Sequence, residues 1–229
     1  MALIVEGLKK SFGSLKVLNG VSFLVEEGEF ICLLGESGCG KTTILKIIAG
    51  LEEADEGNII FEGGSRIGFV FQDDRLLPWR TVYGNILFAL KAAGTGGSVE
   101  DIINLVGLRG FENYYPKQLS GGMKQKVGIA RALAVNPDVL LMDEPFASLD
   151  ARTRERMQEE LLKIVSGKSV IFVTHSIDEA IYLADKIVVL SPRPSRVVRT
   201  IEIEMSKPRD RNSEEFVELR REIYEILKS

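Results

Sequence analysis

Long apolar runs, disulfide-ready cysteines, a secretory leader and an excess of positive charge are all missing from this chain of 229 residues. The longest apolar stretches, such as residues 139–142 and 187–190, are strand-sized and far below what a bilayer crossing requires, so any membrane role is expected to come through a partner. The N-terminal stretch MALIVEGLKKSFG is broken by Glu6 and lacks the charged-then-apolar order of an export signal. With a formal charge of −4, the chain has no general attraction for phosphate backbones, and no nucleic-acid partner is expected. The local basic runs, Arg193, Arg196 and Arg199, then Lys207, Arg209 and Arg211, read as a solvated face. The two cysteines, Cys32 and Cys39, fall in a predicted strand and in a glycine loop, where a disulfide would distort the loop's backbone. Reduced thiols and a reducing compartment follow. No linker divides the chain, and Gly94-Thr95-Gly96-Gly97-Ser98 is too short to be more than a loop between helices.

What is present is an alternation of two residue periods. Short apolar runs at residues 30–34, 139–142, 170–174 and 187–190 are separated by longer helical patterns, which predicts a buried, largely parallel sheet with helices around it. Earlier runs at residues 3–5, 21–25, 59–61 and 67–71 are joined by short turns and predict a smaller antiparallel sheet. Residues 78–136 read as helices without a strand, an inserted helical subdomain. Helix starts are marked by Ser98 with Asp101, Ser176 with Glu179, and Asn212 with Glu215 before a closing helix whose Phe216, Leu219, Ile223 and Leu227 share a face.

The chemistry begins at Gly35-Glu36-Ser37-Gly38-Cys39-Gly40-Lys41-Thr42, which follows an apolar strand and precedes the helical spacing of Ile44, Leu45, Ile47 and Ile48. Strand, glycine loop and helix make a phosphate cradle: glycines let N–H groups turn inward, and the helix N-terminus adds partial positive charge. Lys41 would reach the terminal phosphates of a nucleoside triphosphate and the Thr42 hydroxyl would ligate magnesium. Downstream, the strand at residues 139–142 delivers Asp143 and Glu144 at its C-terminal edge, where ligands sit in such sheets. Alternation points them in different directions, so that Asp143 joins the magnesium shell while Glu144 faces an attacking water. His175, the only histidine, ends the next strand and is placed to bond the terminal phosphate. Gln72, at the boundary of the helical insertion, would touch magnesium or water and link the nucleotide to a moving segment. Ser120-Gly121-Gly122 caps a helix with Met123, Val127, Ala130 and Ala134 on one face, a second anion site or a simple cap. The apolar Leu76, Leu77, Pro78 and Trp79 form either packing for the insertion or a contact surface.

The run QLSGGMKQKVGIARALAVNPDVLLMDEPFASLD, residues 118–150, resembles the signature-to-Walker B region of ABC ATPases, and with the phosphate loop, Gln72 and His175 the resemblance covers nearly the whole chain. It implies an α/β fold of the P-loop NTPase, ABC ATPase type: a mixed sheet core with a small antiparallel β-subdomain and an inserted α-helical subdomain. The implied layout is a nucleotide-binding core at residues 1–77 and 137–205, a helical signature subdomain at 78–136 and a C-terminal helix at 206–229. In the family, two subunits meet head to tail and clasp ATP between one copy's phosphate loop and the other's signature. Carried over by position, residues 35–42 and Thr43 bind phosphates and Mg2+, Gln72 senses the γ-phosphate, Ser120, Gly121 and Gly122 bind ATP across the dimer, and Asp150 bridges the two sites. Phe12 stands where the family usually has a tyrosine stacked on adenine, and Ser148 replaces the commoner alanine before Leu149-Asp150.

The stretch FQDDRLLPWRTV at residues 71–82 is similar to the nitrate, sulfonate and taurine importer branch, a pattern shared with importers of pyrimidine precursors. This implies uptake driven through a separate permease, met by residues 76–79 at the inner face of the membrane, with an external solute-binding protein upstream. The competing readings are an exporter subunit, a soluble ABC ATPase acting on ribosomes or DNA, and a metabolite kinase. The last would leave Ser120-Gly121-Gly122 unexplained.

Overall fold

In the computed structural model, which describes residues 3–63 and 66–228, the chain forms two compact units, one of Met1–Gly64 with Gly167–Ser229 and the other of Ser65–Ser166. The first unit opens with β1 (Leu3–Phe12) and β2 (Leu15–Val25), a hairpin whose alternating residues Leu3, Val5, Leu8, Val21, Phe23 and Val25 are buried. β4 (Glu56–Phe61) pairs antiparallel with the other edge of β1 and completes a three-stranded sheet.

The same unit holds β3 (Phe30–Leu34), buried at every position and flanked by parallel partners, β7 (Ser169–Thr174) on one side and β8 (Lys186–Leu190) on the other. A strand with neighbours on both edges and helices on its faces has no solvated side, which is why these runs are continuously apolar rather than alternating. β9 (Val197–Glu202) adds an antiparallel edge against β8, so the sheet is mixed. Three helices belong to this unit: α1 (Lys41–Ile48), α6 (Ile177–Leu183) and α7 (Glu214–Lys228). α7 buries Phe216 and Ile223 and packs on α6, with Arg220 Nε donating to Asp178 Oδ1 at 2.5 Å.

In the second unit, β5 (Ile67–Val70) lies parallel to β6 (Val139–Asp143), and the chain between them is helical: α2 (Val82–Ala93), α3 (Val99–Leu105), a single 3-10 turn (Pro116–Gln118) and α4 (Gly121–Ala134). α5 (Ala151–Ile164) follows β6. α2, α3 and α5 all pack against α4, which explains why α4 buries Gln125, Val127, Ile129, Ala130, Ala132, Leu133 and Ala134, a wider face than the four positions expected from spacing.

Three sequence expectations need correction. Residues 67–71 do not join the antiparallel sheet; β5 pairs in parallel with β6, a partner brought back by the helical insertion. The cap of α7 is Ser213, whose hydroxyl accepts from the Phe216 N–H at 3.3 Å, rather than Asn212. The basic run does not lie wholly on a solvated face: Arg209 is buried, its Nη1 donating to the Ile181 and Ala184 carbonyls at 2.6 and 2.5 Å at the C-terminal end of α6. Those terminal carbonyls have no partner within the helix, and a guanidinium supplies several donors in one plane. Ser98 and Ser176 cap α3 and α6 as expected, accepting from the Asp101 and Glu179 N–H groups.

Candidate functional site

Residues 35–42 connect the buried end of β3 to α1, and the loop's shape is dictated by crowding. A Cβ at Gly35 would stand 2.9 Å from Cys39 Sγ and 3.1 Å from the Leu190 carbonyl oxygen. At Gly40, where φ is +108°, it would meet Leu18 Cδ2 at 2.8 Å and Val17 Cγ1 at 2.9 Å. Only glycine satisfies both the left-handed backbone and the contact. Lys41, buried, folds its ammonium back into the loop, donating to the Gly35 carbonyl at 2.7 Å and the Glu36 carbonyl at 2.9 Å, with Cys39 Sγ 3.9 Å away. A desolvated cation held by two carbonyls, at a helix N-terminus, is a site built for an anion with many oxygens. Both cysteines are free and buried; burial pushes each thiol up from its ordinary range, with the Lys41 charge opposing it at Cys39. Thr42 and Thr43, in the first turn of α1, are half-buried.

The same unit carries Phe12 at the tip of the β1–β2 hairpin, 48% exposed, with Lys10 Nζ 5.1 Å from its ring centroid. An open aromatic face next to the strand that walls the loop suits a flat base. His175 is exposed just beyond β7. Its position is set from behind: Thr174 Oγ1 donates to Glu179 Oε2 at 2.5 Å and accepts from the Ser176 N–H at 3.0 Å, while Ser176 caps α6.

In the second unit, β6 ends at the buried Asp143, and Glu144 leaves the strand with φ of +43°. Glu144 thus lies just outside the strand, where the backbone turns into the left-handed region. A non-glycine residue there is strained. The turn is held: Ala147 N–H donates to the Glu144 carbonyl at 3.1 Å, and Arg154 donates from Nη2 to the Leu149 carbonyl at 2.8 Å and from Nε to Phe146 O at 3.3 Å. Asp150 caps α5, accepting from the Thr153 N–H at 3.0 Å, and hydrogen bonds from the Thr153 side chain first and its N–H second hold the Asp150 carboxyl below the usual carboxylate range. Ser120 caps α4 in the same way, its hydroxyl accepting from Met123 N–H at 3.3 Å, with Ser120 and Gly121 exposed. Gly122 lies against α5, where a Cβ would meet Thr153 Cγ2 at 3.3 Å. The second unit thus brings Ser120, Gly121 and Gly122 beside the segment that runs from Glu144 to Asp150.

Gln72 is exposed in the irregular segment after β5. Further along it, Asn85, fully buried on α2, accepts from the Leu77 N–H at 2.9 Å and donates to the Leu77, Arg80 and Thr81 carbonyls at 3.2, 3.1 and 3.0 Å. The pinned backbone leaves Trp79 71% exposed, with Leu76 and Leu77 half-buried.

Residues 18–147 match the family model described as ABC transporter. The chain belongs to the ABC transporter ATP-binding protein family. An uncharacterized ABC transporter ATP-binding protein of Methanocaldococcus jannaschii is 49% identical over 99% of this chain and 91% of its own length. The aliphatic sulfonates import ATP-binding protein SsuB of Bacillus cereus is 47% identical over 93% of this chain and 89% of its own, and the taurine import ATP-binding protein TauB of Rhizobium johnstonii is 46% identical with the same coverage. Among solved structures, the dimeric post-hydrolysis state of the ATP-binding cassette MJ0796 bound to ADP and phosphate superimposes with a TM-score of 0.76 at 30% identity, covering 89% of this chain and all of that one. The ABC ATPase recognised from its motifs, an α/β P-loop NTPase, is what the comparisons return.

One residue of interest escaped the sequence reading. Arg193, in the turn between β8 and β9, lies against Gly38 of the phosphate loop. Arg193 is exposed, as its place in the basic run implies, and no local spacing links it to the loop.

Proposed function

We propose that this ABC ATPase energises import of a small sulfonate, taurine or chemically similar nutrient, working as a head-to-tail dimer beneath a separate membrane permease. The observation that carries the nucleotide reading is the Lys41 ammonium buried inside the loop on two carbonyls, a charge placed to exchange those carbonyls for phosphate oxygens. Phe12 stacks on the base, and residues 35–43 wrap the phosphates. Ser120, Gly121 and Gly122 of a second copy close over the γ-phosphate, and Asp150 bridges the paired sites. The dimer is supported by the dimeric cassette that this chain resembles at 30% identity.

Thr42, Gln72 and Asp143 offer only hard oxygen ligands, the donor set for magnesium, and among the described residues no cluster of three acidic, histidine or cysteine side chains exists to hold a metal alone. That fits an ion shared between few protein groups and a nucleotide. When bound, Mg2+ neutralises charge on the phosphate oxygens. Glu144 orients the attacking water and takes its proton, and His175 donates to the γ-phosphate as negative charge builds there. The γ-phosphate is the switch: present, it holds both copies together; lost, it releases them.

Trp79, exposed on a segment pinned by Asn85, supports the permease contact through Leu76, Leu77, Pro78 and Trp79. Among the described residues no helix is long and apolar enough to cross a membrane, so attachment to the inner face runs through that permease, with an external binding protein choosing the solute. The names of the relatives, aliphatic sulfonates and taurine import, support the solute class.

The test of the catalytic assignment is Glu144→Gln. It is expected to bind ATP, to lose about 10²–10⁴-fold in turnover, as removal of a general base does, and to accumulate as a dimer in sedimentation. Normal hydrolysis by this variant overturns the role given to Glu144.

A further inference from the structure

We propose that Arg193 is a second cation of the nucleotide site, contacting the phosphate chain at the part of the loop remote from the Lys41 anchor. The proposal rests on residues 35–42 being the phosphate loop. A Cβ on Gly38 would stand 3.6 Å from Arg193 Nη2 and 3.9 Å from Cζ, so the guanidinium lies directly against the loop's crest. Lys41 Nζ sits elsewhere, on the Gly35 and Glu36 carbonyls. The two cations therefore contact different residues of one loop, an arrangement that suits a triphosphate with charge spread along its length.

The turn bearing Arg193 is fixed rather than loose. Ser195 N–H donates to the Val17 carbonyl and Asn19 N–H donates to the Ser195 carbonyl, both at 2.8 Å. Across the turn's base, Ser191 N–H donates to Arg196 O at 3.0 Å and Arg196 N–H donates to Ser191 Oγ at 3.1 Å. Val17 and Leu18, on the strand so fastened, are the side chains that wall Gly40. One strand thus carries the wall of the loop and the anchor of Arg193, and it leads directly from the hairpin tip that presents Phe12.

The side chain itself is uncommitted. Among the described residues no carboxylate pairs with Arg193 and no carbonyl of the loop accepts from it. A guanidinium that buttressed the loop would donate to loop carbonyls, as Lys41 does. Arg193 instead keeps its planar fork of donors open beside a phosphate cradle, the geometry in which arginine binds phosphate through two parallel hydrogen bonds.

The experiment compares Arg193→Ala, Arg193→Lys and Lys41→Ala with the wild-type chain, measuring equilibrium binding of ATP and ADP across a salt series, with Tm alongside. Arg193→Ala is expected to weaken ATP about tenfold, the size of one exposed charge-assisted contact, with unchanged Tm and a flatter salt dependence, and Arg193→Lys to recover part of the loss. Wild-type affinity in Arg193→Ala, while Lys41→Ala no longer binds, overturns the role of Arg193 and leaves the phosphate loop standing. A loss that salt does not modulate, or that comes with a lower Tm, makes Arg193 a structural support and equally overturns it. Unimpaired binding by Lys41→Ala removes the phosphate-loop reading and this inference with it.

Discussion

The two glycine-rich segments proposed to hold the nucleotide are built on opposite principles. In the loop at residues 35–42, the glycines are demanded by the protein's own atoms: Gly40 combines φ of +108° with neighbours at 2.8 and 2.9 Å, and Gly35 is hemmed in by Cys39 and Leu190. At the start of α4, Gly121 and Gly122 have ordinary backbone angles, and the Cβ positions would meet Leu149 at 3.5 Å and Thr153 at 3.3 Å, close but not prohibitive. The first loop carries a cation of its own, Lys41, already seated on two of its carbonyls. The second is an exposed hydroxyl and an exposed glycine at a helix start, whose smallness the fold around it does not explain. A glycine that its own fold does not need is accounted for by something that must approach closely, which is the role given to the partner's nucleotide.

Substitution by alanine separates these two cases. Gly40→Ala sets a methyl group against Val17 and Leu18 in a backbone region that L-residues avoid, and it is expected to cost about 2–4 kcal/mol of stability. Urea denaturation checks the cost, and nucleotide binding is expected to be lost with it. A fully stable Gly40→Ala chain removes the claim that the loop is dictated by internal crowding.

Gly121→Ala is the sharper test because stability and activity should part. Its Cβ finds ordinary van der Waals contact, so stability is expected to stay within about 0.5 kcal/mol. ATP binding to the single chain is expected to be unchanged, while ATPase activity at saturating ATP falls at least about tenfold, the cost of one displaced anion contact. Wild-type hydrolysis by this variant places no nucleotide near Gly121.

The same contrast explains what was legible beforehand. The phosphate loop is local: strand, glycines, lysine and helix follow one another, and every requirement is met within a few residues. β5 was misplaced because a short strand reached by a short turn looks like one more hairpin arm; its partner β6 lies beyond an entire helical insertion, and local periodicity does not carry long-range pairing. β9 went unmarked because an edge strand with Arg199, Thr200 and Glu202 exposed shows no buried run. Arg193 was missed for the same reason that β5 was: a turn between two strands reaches the phosphate loop through pairing with β2, and nothing in its own neighbourhood records that. The positive φ at Glu144 leaves no signature in the sequence.

The smallest expected effect concerns Asp150, which belongs to the incomplete half and is nonetheless structurally engaged there. Its carboxylate caps α5 through the Thr153 N–H, and hydrogen bonds from the Thr153 side chain and then that N–H depress its pKa below the ordinary value. A carboxyl whose folded pKa is depressed contributes stability that is fully present above the unfolded pKa, near 3.9, and is lost as pH falls through the folded one. Asp150→Asn keeps a side-chain acceptor that is equally good at an N-cap while removing the negative charge from the positive end of the α5 dipole. The variant should therefore be slightly less stable than the wild type at neutral pH, and the gap should close only as acid titrates the wild-type carboxyl below the usual carboxylate range. Paired denaturation curves taken from neutral pH downward measure it. A gap that persists unchanged into strong acid shows that the charge contributes nothing, leaving the bridging role across the dimer as the sole reason for an aspartate at this position.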